Sequence, residues 1–488
     1  MDKEKLLKKL KEIIPDKKRI VAHDIPEKYL SDTLGRLKGE AAALVFPQST
    51  EEVSKILKYA HKHGIPVTPR GAGTNLVGST VPVDGGIILD FSHMDKILEL
   101  DENTMTITVQ PGLLLQDLQK YVEERGLFYP PDPGEKASSV GGNISTNAGG
   151  MRAVKYGVTR DYVRGLEVVT ADGSVLIAGG KNVKDASGLS LKNLYIGSEG
   201  TLAVITKCIL KLIPKPETSL SVLVPYPDLK TGIRSVLSVL RANANPTAVE
   251  FMERKVVKLG EDFLGVKYPY PEAGSYILLT FDGHATEVRE NAERIRKLTL
   301  DGGALAYLPL TDTVQKSTSE TGNASDEPAA NSAAENVIPS AADIWKVRGA
   351  LVKAVEAFSE QEPVDIVVPI DKTAEFISFI NKLDEESGMQ MVSFGHAGDG
   401  NVHLCVVRGD RDLKTWHKEL KANMDRAYHK AYELGGITSG EHGIGISKRR
   451  YFLRETPGEN LEVMNRIKDA LDPKHILNDK KSYILEKK

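Results

Sequence analysis

Two histidines separated by a glycine-rich turn have the spacing best suited to metal chemistry in this chain. The segment reads His396-Ala-Gly-Asp-Gly-Asn-Val-His403. Apolar residues alternate over Met391–Phe394 and over Asn401–Val407, and this alternation predicts two strands. It directs each histidine toward one face of its strand, and the glycines between them let the chain reverse. The two imidazoles can therefore converge.

A second glycine-rich turn near the C-terminus carries an acid beside a third histidine. Gly440-Glu441-His442-Gly443 follows a predicted amphipathic helix over Trp416–Leu434. Two imidazoles and one carboxylate suit a divalent first-row metal that keeps positions open for a substrate, and zinc, iron and manganese all remain open. A single histidine is more often a hydrogen-bonded core or surface residue. Three histidines and an acid within two such turns favour a metal centre.

Three glycine-rich stretches in the first half have the composition of an anion cradle: Arg70–Gly78, Ser138–Gly150 and Gly197–Thr201. Glycine tolerates positive φ and lets backbone N–H groups approach an anion closely. The first stretch follows a predicted strand at Ile65–Pro69. It is neither a Walker loop nor a GxGxxG motif, and on its own it is more simply a structural turn. With the rigid turn Pro130–Gly134, the stretches can enclose a pyrophosphate and a planar ring.

Short helices and strands must position these turns. The spacing predicts a helix over Thr50–His63, capped by Thr50 and ended by Gly64. The first 215 residues are interpreted as a mixed α+β domain that ends at Pro214–Pro216. Further strands are predicted at Gly86–Asp90, Met105–Val109, Leu166–Thr170, Val175–Ile177, Leu202–Thr206 and Ser275–Phe281, and a further helix at Leu229–Arg241.

Residues Lys316–Ala342 have an unusual composition. Val337 and Ile338 are their only large apolar residues. Such a segment buries too little apolar surface to fold by itself. We predict a mobile surface insertion, and a plain solvated insertion is favoured over a docking segment or a lid.

Composition excludes several classes of protein. The 488 residues include 64 Lys and Arg and 67 Asp and Glu, so the net charge of −3 argues against nucleic-acid binding. No apolar run approaches the ~18 residues of a membrane span, and the amphipathic N-terminus has no signal core, so we expect a cytoplasmic protein without a transmembrane segment. The two cysteines, Cys208 and Cys405, are too few for an iron–sulfur cluster, which needs about four thiolates.

The order of the motifs resembles a known flavoprotein family. VTPRGAGTNL, SSVGGNISTNAGG and GSEGTLAVIT are similar to the FAD-binding domain of the vanillyl-alcohol oxidase / p-cresol methylhydroxylase (PCMH) type. With HAGDGNVH and GEHGIG, the resemblance is strongest to the branch that contains the flavoprotein component of glycolate oxidase, D-lactate dehydrogenase and D-2-hydroxyglutarate dehydrogenase. It extends over about residues 40–478.

The resemblance implies an α+β fold in three parts. Residues 1–216 would form a two-subdomain FAD-binding domain of the PCMH type. Residues 217–430 would form an α+β substrate (cap) domain that contains the 316–342 insertion. Residues 431–488 would return to the flavin site and complete it.

The resemblance also implies FAD held by the glycine-rich loops. Relatives with covalent FAD carry a histidine in the first loop, and Gly71–Asn75 has none, so we predict non-covalent FAD. The implied cofactor-binding residues are Pro69, Arg70, Gly71, Ala72, Gly73, Thr74, Asn75, Gly78, Pro133, Gly134, Ser138, Ser139, Gly142, Asn143, Thr146, Asn147, Gly149, Gly150, Glu199, Gly200, Ile205 and Asn478.

Individual side chains near the C-terminus match the family's catalytic positions. His442 resembles the base that takes the substrate hydroxyl proton, and Asn401 resembles a substrate hydrogen-bond donor. Arg348 resembles the arginine that pairs with the substrate carboxylate, and a surface salt bridge is the alternative. The implied metal ligands are His396, His403 and Glu441.

Three departures from the family pattern bear on the substrate and the cofactor. Relatives that hold a dicarboxylate carry a polar residue one turn after the arginine, where this chain has Val352. They also carry a basic residue two positions before the Asp of a following strand, where it has Pro363. A substrate with one carboxylate, such as lactate or glycolate, is therefore favoured. Asn478–Lys480 stands where relatives usually have Asn-Pro-Gly, which weakens the expectation of a flavin contact there.

The implied reaction is oxidation of a D-2-hydroxy acid, with D-lactate favoured and glycolate second, to the 2-oxo acid. Reduced flavin would pass its electrons to a separate acceptor, such as an electron-transfer flavoprotein or an iron–sulfur subunit. A D-2-hydroxyglutarate dehydrogenase and an oxygen-using oxidase are alternatives. A non-catalytic flavin electron-transfer subunit would not need the histidine motifs, and a metal hydrolase would not need the first 215 residues.

Overall fold

The structure is a computed structural model that describes residues 2–316 and 337–485. It divides into two compact units. Unit 1 contains Met1–Arg152, Tyr156–Lys215 and Thr438–Lys488, and unit 2 contains Ala153–Lys155 and Pro216–Ile437. Residues 317–336 of the predicted insertion lie outside the described residues. The flanks of the insertion pair as two short strands, and its last two residues already belong to a helix.

The first part of unit 1 contains short strands and helices in alternation. Its strands are β1 (Ile20–Val21), β2 (Ala43–Val45), β3 (Val67–Arg70), β4 (Ile87–Asp90), β5 (Ile97–Asp101), β6 (Thr106–Val109), β7 (Leu127–Phe128), β8 (Val163–Val169), β9 (Val175–Gly179), β10 (Val204–Lys211) and β11 (Ile213–Pro214). Its helices are α1 (Lys3–Ile13), α2 (Glu27–Leu30), α3 (Thr50–His63), α4 (Leu115–Glu123), α5 (Val140–Thr146), α6 (Ala153–Tyr156, mostly counted with unit 2), α7 (Thr159–Tyr162) and α8 (Lys192–Tyr195).

Two sheets with separate cores form this part of unit 1. The order β1-β2-β4-β3 makes a mixed sheet in which β4 runs parallel to β2 and β3. Its core takes Leu6 and Leu10 from α1 and Ile56 from α3. The order β5-β6-β10-β8-β9 makes an antiparallel sheet, whose core takes Leu118 from α4 and Ile144 from α5. This is the predicted two-subdomain arrangement.

Helix α3 shows how far local sequence sets these elements. Its bounds and its left-handed C-cap at Gly64 (φ 62°) are as predicted, but the predicted N-cap is wrong. Ser49 caps the helix by accepting the Glu52 N–H at 3.2 Å. The Thr50 hydroxyl instead donates to Glu167 on β8 at 2.5 Å, so a tertiary partner decides between two adjacent cap-forming residues.

Unit 2 is built on a seven-stranded antiparallel sheet in the described residues, with the order β15-β12-β14-β13-β19-β20-β18. Unit 2 contains the strands β12 (Thr218–Tyr226), β13 (Ala248–Glu253), β14 (Ser275–Gly283), β15 (Leu308–Pro309), β16 (Gln315–Lys316), β17 (Val337–Ile338), β18 (Gln361–Val367), β19 (Met391–His396) and β20 (Asn401–Val407), of which β16 and β17 pair with each other outside this sheet. Its helices are α9 (Leu229–Arg241), α10 (Arg254–Leu264), α11 (Ala285–Asp301), α12 (Ala341–Phe358), α13 (Thr373–Ser387) and α14 (Leu413–Glu433).

The chain rejoins unit 1 at Thr438 and adds α15 (Arg449–Glu455) and α16 (Gly458–Leu471). After α16 the backbone lies beside β3: the Val67 N–H donates to the Ile476 oxygen at 2.7 Å, and the Asn478 N–H donates to the Val67 oxygen at 3.0 Å. The end of the chain is thereby fixed next to the first glycine-rich loop. Over residues 2–316 and 337–485, no helix is both long enough and apolar enough to cross a bilayer.

Candidate active site

The two predicted histidines lie side by side on one face of the large sheet in unit 2. In the β19–β20 hairpin, His396 is opposite Asn401 and Phe394 is opposite His403. Directly opposed residues of an antiparallel pair point to the same face. Gly400 closes the hairpin with φ 81°, where a Cβ would lie 2.1 Å from a neighbouring carbonyl oxygen. The structure thus brings the imidazoles together, as the alternation predicts.

The distance between the imidazoles fits a shared metal ion. The two Nε2 atoms are 3.2 Å apart and the ring planes are inclined at 84°. Both side chains are buried, with 6% of His396 and 9% of His403 exposed. Two imidazole nitrogens bound tetrahedrally to one ion at ~2.0–2.1 Å lie about 3.3 Å apart. The pair can therefore supply two ligands without rearrangement.

A buried glutamate supports His396 from the next strand. Glu250 on β13 is directly opposite His396 and is fully buried. Its Oε1 lies 2.7 Å from His396 Nδ1. Burial alone would raise the pKa of Glu250, but the charges of His396 and Arg348, with their hydrogen bonds, hold this pKa below its ordinary value. The carboxylate is thus ionised beneath the histidine pair.

Arg348 on α12 joins the same cluster. Its Nε donates to Glu250 Oε2 at 2.9 Å and its Nη2 donates to the same oxygen. The guanidinium carbon lies 5.0 Å from the centre of the Phe394 ring, and 7% of the residue is exposed. The alternative of a surface salt bridge is therefore wrong, because the arginine is buried and its partner is a buried carboxylate.

Asn401 is held by β18, the strand on the other side of its hairpin. Its Nδ2 donates to Asp365 Oδ1 at 2.6 Å and to the Ile366 oxygen at 3.2 Å. Asp365 is fully buried and is opposite His403 in the ladder. The amide hydrogens of Asn401, which the resemblance implies would donate to a substrate, thus already have protein acceptors.

Val352 and Pro363, at the two positions linked to dicarboxylate recognition, are apolar residues with apolar neighbours. Val352, one turn after Arg348, packs against the apolar cluster of unit 2. Pro363 is opposite Cys405 in the β18–β20 ladder. The described residues therefore place no cation at either of these two positions.

In unit 1 the first glycine-rich loop is braced by Arg70 at the end of β3. Its Nη2 donates to the Lys28 oxygen at 2.8 Å and its Nη1 to Thr80 Oγ1 at 3.2 Å, and its guanidinium stacks on Tyr29. A Cβ on Gly73 would lie 2.0 Å from the same guanidinium. The guanidinium of Arg70, which was predicted as a cofactor contact, thus stabilises the conformation of the loop.

The second loop meets the first through Ser139. Its Oγ accepts the Ala72 N–H at 3.2 Å and also caps α5 by accepting the Gly142 N–H. A Cβ on Gly71 would lie 2.0 Å from this Oγ, so a side chain there would have to displace the Ser139 hydroxyl. A Cβ on Gly150 would lie 2.1 Å from a carbonyl oxygen of the proline turn. These close approaches fit a cradle for an extended nucleotide.

Glu199, in the third loop, ties together three separate segments of unit 1. Its carboxylate accepts the backbone N–H groups of Ile444 at 2.9 Å and Gly445 at 2.8 Å, and the Ser79 hydroxyl at 2.5 Å. It also accepts the Ser482 hydroxyl at 3.1 Å. Predicted as a cofactor contact, Glu199 fixes the loop that carries Glu441 and His442.

Glu441 and His442 are half-buried, and Glu441 lies beside the second glycine-rich loop of unit 1. A Cβ on Gly149 would come within 3.3 Å of Glu441 Oε2. Gly443, the next residue, has φ 83°, and its Cα is so close to Glu199 that a Cβ would lie 3.1 Å from that carboxyl carbon. The backbone of this turn is therefore set by contacts on both sides.

Asn478 retains a role despite the altered C-terminal turn. Its Nδ2 donates to the Ser79 oxygen at 3.0 Å and to the Glu199 oxygen at 2.7 Å. Lys481 donates to the Ser79 oxygen at 2.9 Å and to Asn478 Oδ1 at 2.5 Å. Burial lowers the pKa of Lys481 to about 7. The turn links the first and third loops through its own side chains.

The other predicted cofactor residues lie on the same loops. Pro69 packs under Gly200, where a Cβ would lie 2.6 Å from the proline ring. Asn75 Oδ1 accepts two backbone N–H groups within its own loop, and Asn147 Oδ1 accepts the Arg160 N–H at 2.9 Å. The remaining residues are Thr74, Gly78, Pro133, Gly134, Ser138, Asn143, Thr146 and, on β10, Ile205.

Glu250 and the structural roles of Glu199 and Lys481 were not predicted from the sequence. Glu250 is an isolated acid inside the apolar run Ala248–Met252, and an acid in a strand buried on both sides is a usable signal. Its partners could not be read from the sequence, because they are 98 and 146 residues away.

Two family models match the chain. The model described as "FAD binding domain" matches residues 41–179, and "FAD linked oxidases, C-terminal domain" matches residues 215–482. The second match alone covers more than half of the chain. Together they contain the first two glycine-rich stretches and both histidine motifs.

Three relatives match along most of their length. D-lactate dehydrogenase of Anaerostipes hadrus is 41% identical over 97% of this chain and 96% of its own. Glycolate oxidase subunit GlcD of Bacillus subtilis is 36% identical over 93% and 92%. Mitochondrial D-2-hydroxyglutarate dehydrogenase of Bos taurus is 33% identical over 92% of this chain and 78% of its own.

Solved structures show the same fold at low sequence identity. p-Cresol methylhydroxylase with substrate bound has a TM-score of 0.77 at 16% identity, covering 99% of this chain and 96% of its own. 4-Ethylphenol oxidase from Gulosibacter chungangensis has a TM-score of 0.74 at 19% identity, covering 99% and 97%. From the family models and the relatives together, the chain belongs to the FAD-linked oxidases and is an FAD-dependent oxidoreductase of the 2-hydroxyacid dehydrogenase branch.

Proposed function

We propose that the protein oxidises a D-2-hydroxy acid, D-lactate in first place and glycolate in second, to the 2-oxo acid. The observation that carries this proposal is the cluster on one sheet face of unit 2. There a buried cation, Arg348, lies within the same hydrogen-bonded group as the imidazoles of His396 and His403. A 2-hydroxy acid offers a carboxylate and a hydroxyl on adjacent carbons, and the cluster offers a partner for each.

Arg348 would bind the substrate carboxylate. Its Nε–Nη2 edge faces Glu250, so the substrate would meet the guanidinium through its Nη1 side. A charge-assisted hydrogen bond at a buried site is short and strong. The Phe394 ring beneath the guanidinium keeps the arginine in place, which fixes the direction from which the carboxylate can approach.

His396 and His403 would hold a divalent metal, with Glu441 of unit 1 as the third ligand by its match to the family motif. The 3.2 Å separation of the Nε2 atoms and the donor types fit zinc, iron or manganese. Such an ion, when bound, lowers the pKa of a coordinated hydroxyl group.

His442 would take the hydroxyl proton. An imidazole with a pKa near neutrality is a suitable base at physiological pH. Its turn is fixed through Glu199 and the backbone N–H groups that follow it, so the base has a defined position. The Nδ2 hydrogens of Asn401 already have protein acceptors, Asp365 and the Ile366 oxygen. Asn401 would therefore contribute by fixing this part of the sheet, and not by donating from Nδ2 to the substrate.

The glycine-rich loops of unit 1 would hold FAD without a covalent bond. The close contacts at Gly71 and Gly150 leave backbone and small side chains to line the cradle. FAD, when bound, supplies the acceptor for the hydride that leaves C2 of the substrate.

The substrate is proposed to carry one carboxylate. Val352 is packed in an apolar cluster and Pro363 lies opposite Cys405, so neither place offers a second cation. The relatives named D-lactate dehydrogenase and glycolate oxidase subunit act, by their names, on acids of this size. The 33%-identical relative named D-2-hydroxyglutarate dehydrogenase keeps the dicarboxylate as the alternative to these two acids.

Electrons are proposed to leave for a separate acceptor protein, such as an electron-transfer flavoprotein or an iron–sulfur subunit. Cys208 and Cys405 are the only thiols of the chain, and both are buried. Burial raises the pKa of Cys405 to about 12, which keeps it a neutral thiol. Two thiols are too few to ligate an iron–sulfur cluster in this chain, which supports a separate acceptor.

Anaerobic titration tests the proposed function. The purified protein is mixed with D-lactate, L-lactate, glycolate and D-2-hydroxyglutarate in turn, and the visible absorbance of oxidised flavin is followed. We expect D-lactate to bleach the flavin at the lowest concentration and L-lactate to leave it oxidised. Stronger bleaching by D-2-hydroxyglutarate would make that acid the substrate. Bleaching by none of the four would contradict the proposal.

A further inference from the structure

We propose that Glu250 is a positioning residue that sets the proposed metal ligand and the proposed substrate-binding arginine together. This inference rests on the proposed function and goes beyond it, because Glu250 itself touches neither reacting group. The residue occupies a central strand, β13, between β14 and β19. It is fully buried, so every contact that it makes is a contact with the protein.

The two carboxylate oxygens of Glu250 are divided between two partners. Oε1 lies 2.7 Å from His396 Nδ1. Oε2 accepts from Arg348 Nε at 2.9 Å and from Arg348 Nη2. One rigid group therefore fixes side chains from a strand and from a helix at the same time.

The contact with Oε1 fixes the orientation of His396. Nδ1 is the ring nitrogen that faces the carboxylate, which can accept a hydrogen bond from it. Nε2 is therefore the nitrogen left for a metal, and it lies 3.2 Å from His403 Nε2. Metal-binding histidines generally donate their second ring N–H in this way, and losing such a partner typically costs 10–100-fold in metal affinity.

The contact with Oε2 fixes the orientation of Arg348. Because Nε and Nη2 are held by Glu250, the guanidinium plane cannot turn that edge toward a ligand. The side that carries Nη1 is left to meet a carboxylate. A change at Glu250 should therefore alter substrate affinity as well as metal affinity, although Glu250 binds neither directly.

Stability alone does not explain this carboxylate. A buried ion pair is often no more stabilising than apolar residues of similar volume, so its presence in a core strand points to another role. Glu253, the last residue of the same strand, offers a matched comparison. It is also buried, but it accepts from Asn381 Nδ2 at 2.9 Å and from the Ser393 N–H at 2.8 Å, away from both proposed sites.

The test compares Glu250→Gln with Glu253→Gln. Glutamine keeps the size of the side chain and one acceptor oxygen, but it can accept from only one of Arg348 and His396 because its NH2 group only donates. Metal-stripped protein is titrated with Mn2+ and with Zn2+ in a calorimeter, flavin content is measured, and KM and kcat for D-lactate are determined. Glu250→Asp, which keeps the charge on a shorter side chain, replaces Glu250→Gln if that variant does not fold.

We expect Glu250→Gln to weaken metal binding by about 10-fold or more and to raise KM for D-lactate by about 10-fold, at unchanged flavin content. Glu253→Gln should leave both constants within about 2-fold of the wild type, since its contacts lie elsewhere. Wild-type metal affinity and KM in Glu250→Gln, or equal losses in both variants, would overturn the inference. A wild type that binds no divalent metal and is reduced by no 2-hydroxy acid would instead end the proposed function, and the inference with it.

Discussion

Two buried glutamates, one in each unit, are satisfied in different ways. Glu250 in unit 2 is fully buried and is paired with the charged side chain of Arg348 and with an imidazole. Glu199 in unit 1 is 6% exposed and accepts mainly from backbone N–H groups and hydroxyls. The first glutamate holds side chains that would do chemistry, and the second holds the shape of a loop.

This difference predicts which kind of change each region tolerates. Losing a charge-paired carboxylate without its partner is costly, because it leaves an unpaired buried charge. A carboxylate bound by neutral donors can lose its charge at the cost of the hydrogen bonds that go with it. Substitutions in the cluster of unit 2 should therefore change the affinities for substrate and metal. Substitutions around Glu199 in unit 1 should change stability and turnover.

The largest effect on turnover is expected from a substitution of His442, in the loop that Glu199 holds. His442→Ala should lower kcat by about 10²–10⁴-fold, because a general base contributes that much to proton transfer. Flavin content should not change. His429→Ala, an exposed histidine on α14, is the control and should keep full turnover. Full turnover in a flavin-loaded His442→Ala protein would remove this residue as the base.

Arg348→Lys tests the charged cluster that Arg348 forms with Glu250 and His396 in unit 2. Lysine keeps the charge but cannot donate in parallel to Glu250 and to a carboxylate, so kcat/KM for D-lactate should fall by about 10–100-fold. Arg254→Lys is the matched control, since Arg254 pairs with Glu261 through two hydrogen bonds elsewhere in unit 2. Steady-state kinetics of both variants decide the matter. Equal losses would mean that the cluster has no special connection to substrate.

Glu199→Gln tests the hydrogen bonds that the Glu199 carboxylate accepts from neutral donors in unit 1. One carboxylate oxygen becomes an NH2 group that faces a backbone donor. The free energy of unfolding, measured by urea denaturation, should therefore fall by about 1–3 kcal/mol. Turnover should fall as the His442 loop loosens. The exposed Glu135, which also accepts a backbone N–H, is the control and should change stability by less than about 0.5 kcal/mol as Glu135→Gln. Unchanged stability and turnover in Glu199→Gln would show that the loop keeps its shape without this carboxylate.

Lys481 should give the smallest effect, visible in the pH dependence of stability. Its pKa is about 7 in the folded protein against 10.5 ordinarily, because burial disfavours the charged amine. Between these values the unfolded chain binds more protons, so stability rises with pH, by about 1 kcal/mol from pH 7 to 8. Lys481→Met should lack this rise, whereas Lys480→Met, at an exposed pair with Asp84, should keep it. An equal slope in both variants would contradict the assignment.

Local features of the site could be predicted from the sequence. The alternation around His396 and His403 placed both imidazoles on one face, because strand period and a glycine turn act over a few residues. The helix over Thr50–His63 was predicted with its bounds for the same reason, since its apolar spacing is local.

Features that depend on distant partners could not be predicted. Arg348 could be identified from its match to the family, but its pairing with Glu250 joins residues 98 apart and depends on how α12 packs on the sheet. Thr50 and Ser49 are equally good caps by type, and only the contact of Thr50 with Glu167, 117 residues away, decides between them. The same holds for Glu199, whose partners come from three segments of unit 1.

Flavin reduction by D-lactate deuterated at C2 tests the central claim most directly. If hydride leaves C2 of a substrate held by Arg348, anaerobic stopped-flow mixing should show bleaching of the flavin that is slower with the deuterated acid than with the ordinary one. The same mixing with Arg348→Lys should need more D-lactate to reach the same rate. Flavin that stays oxidised with D-lactate, or that bleaches at the same rate with both isotopologues at all concentrations, would contradict the claim.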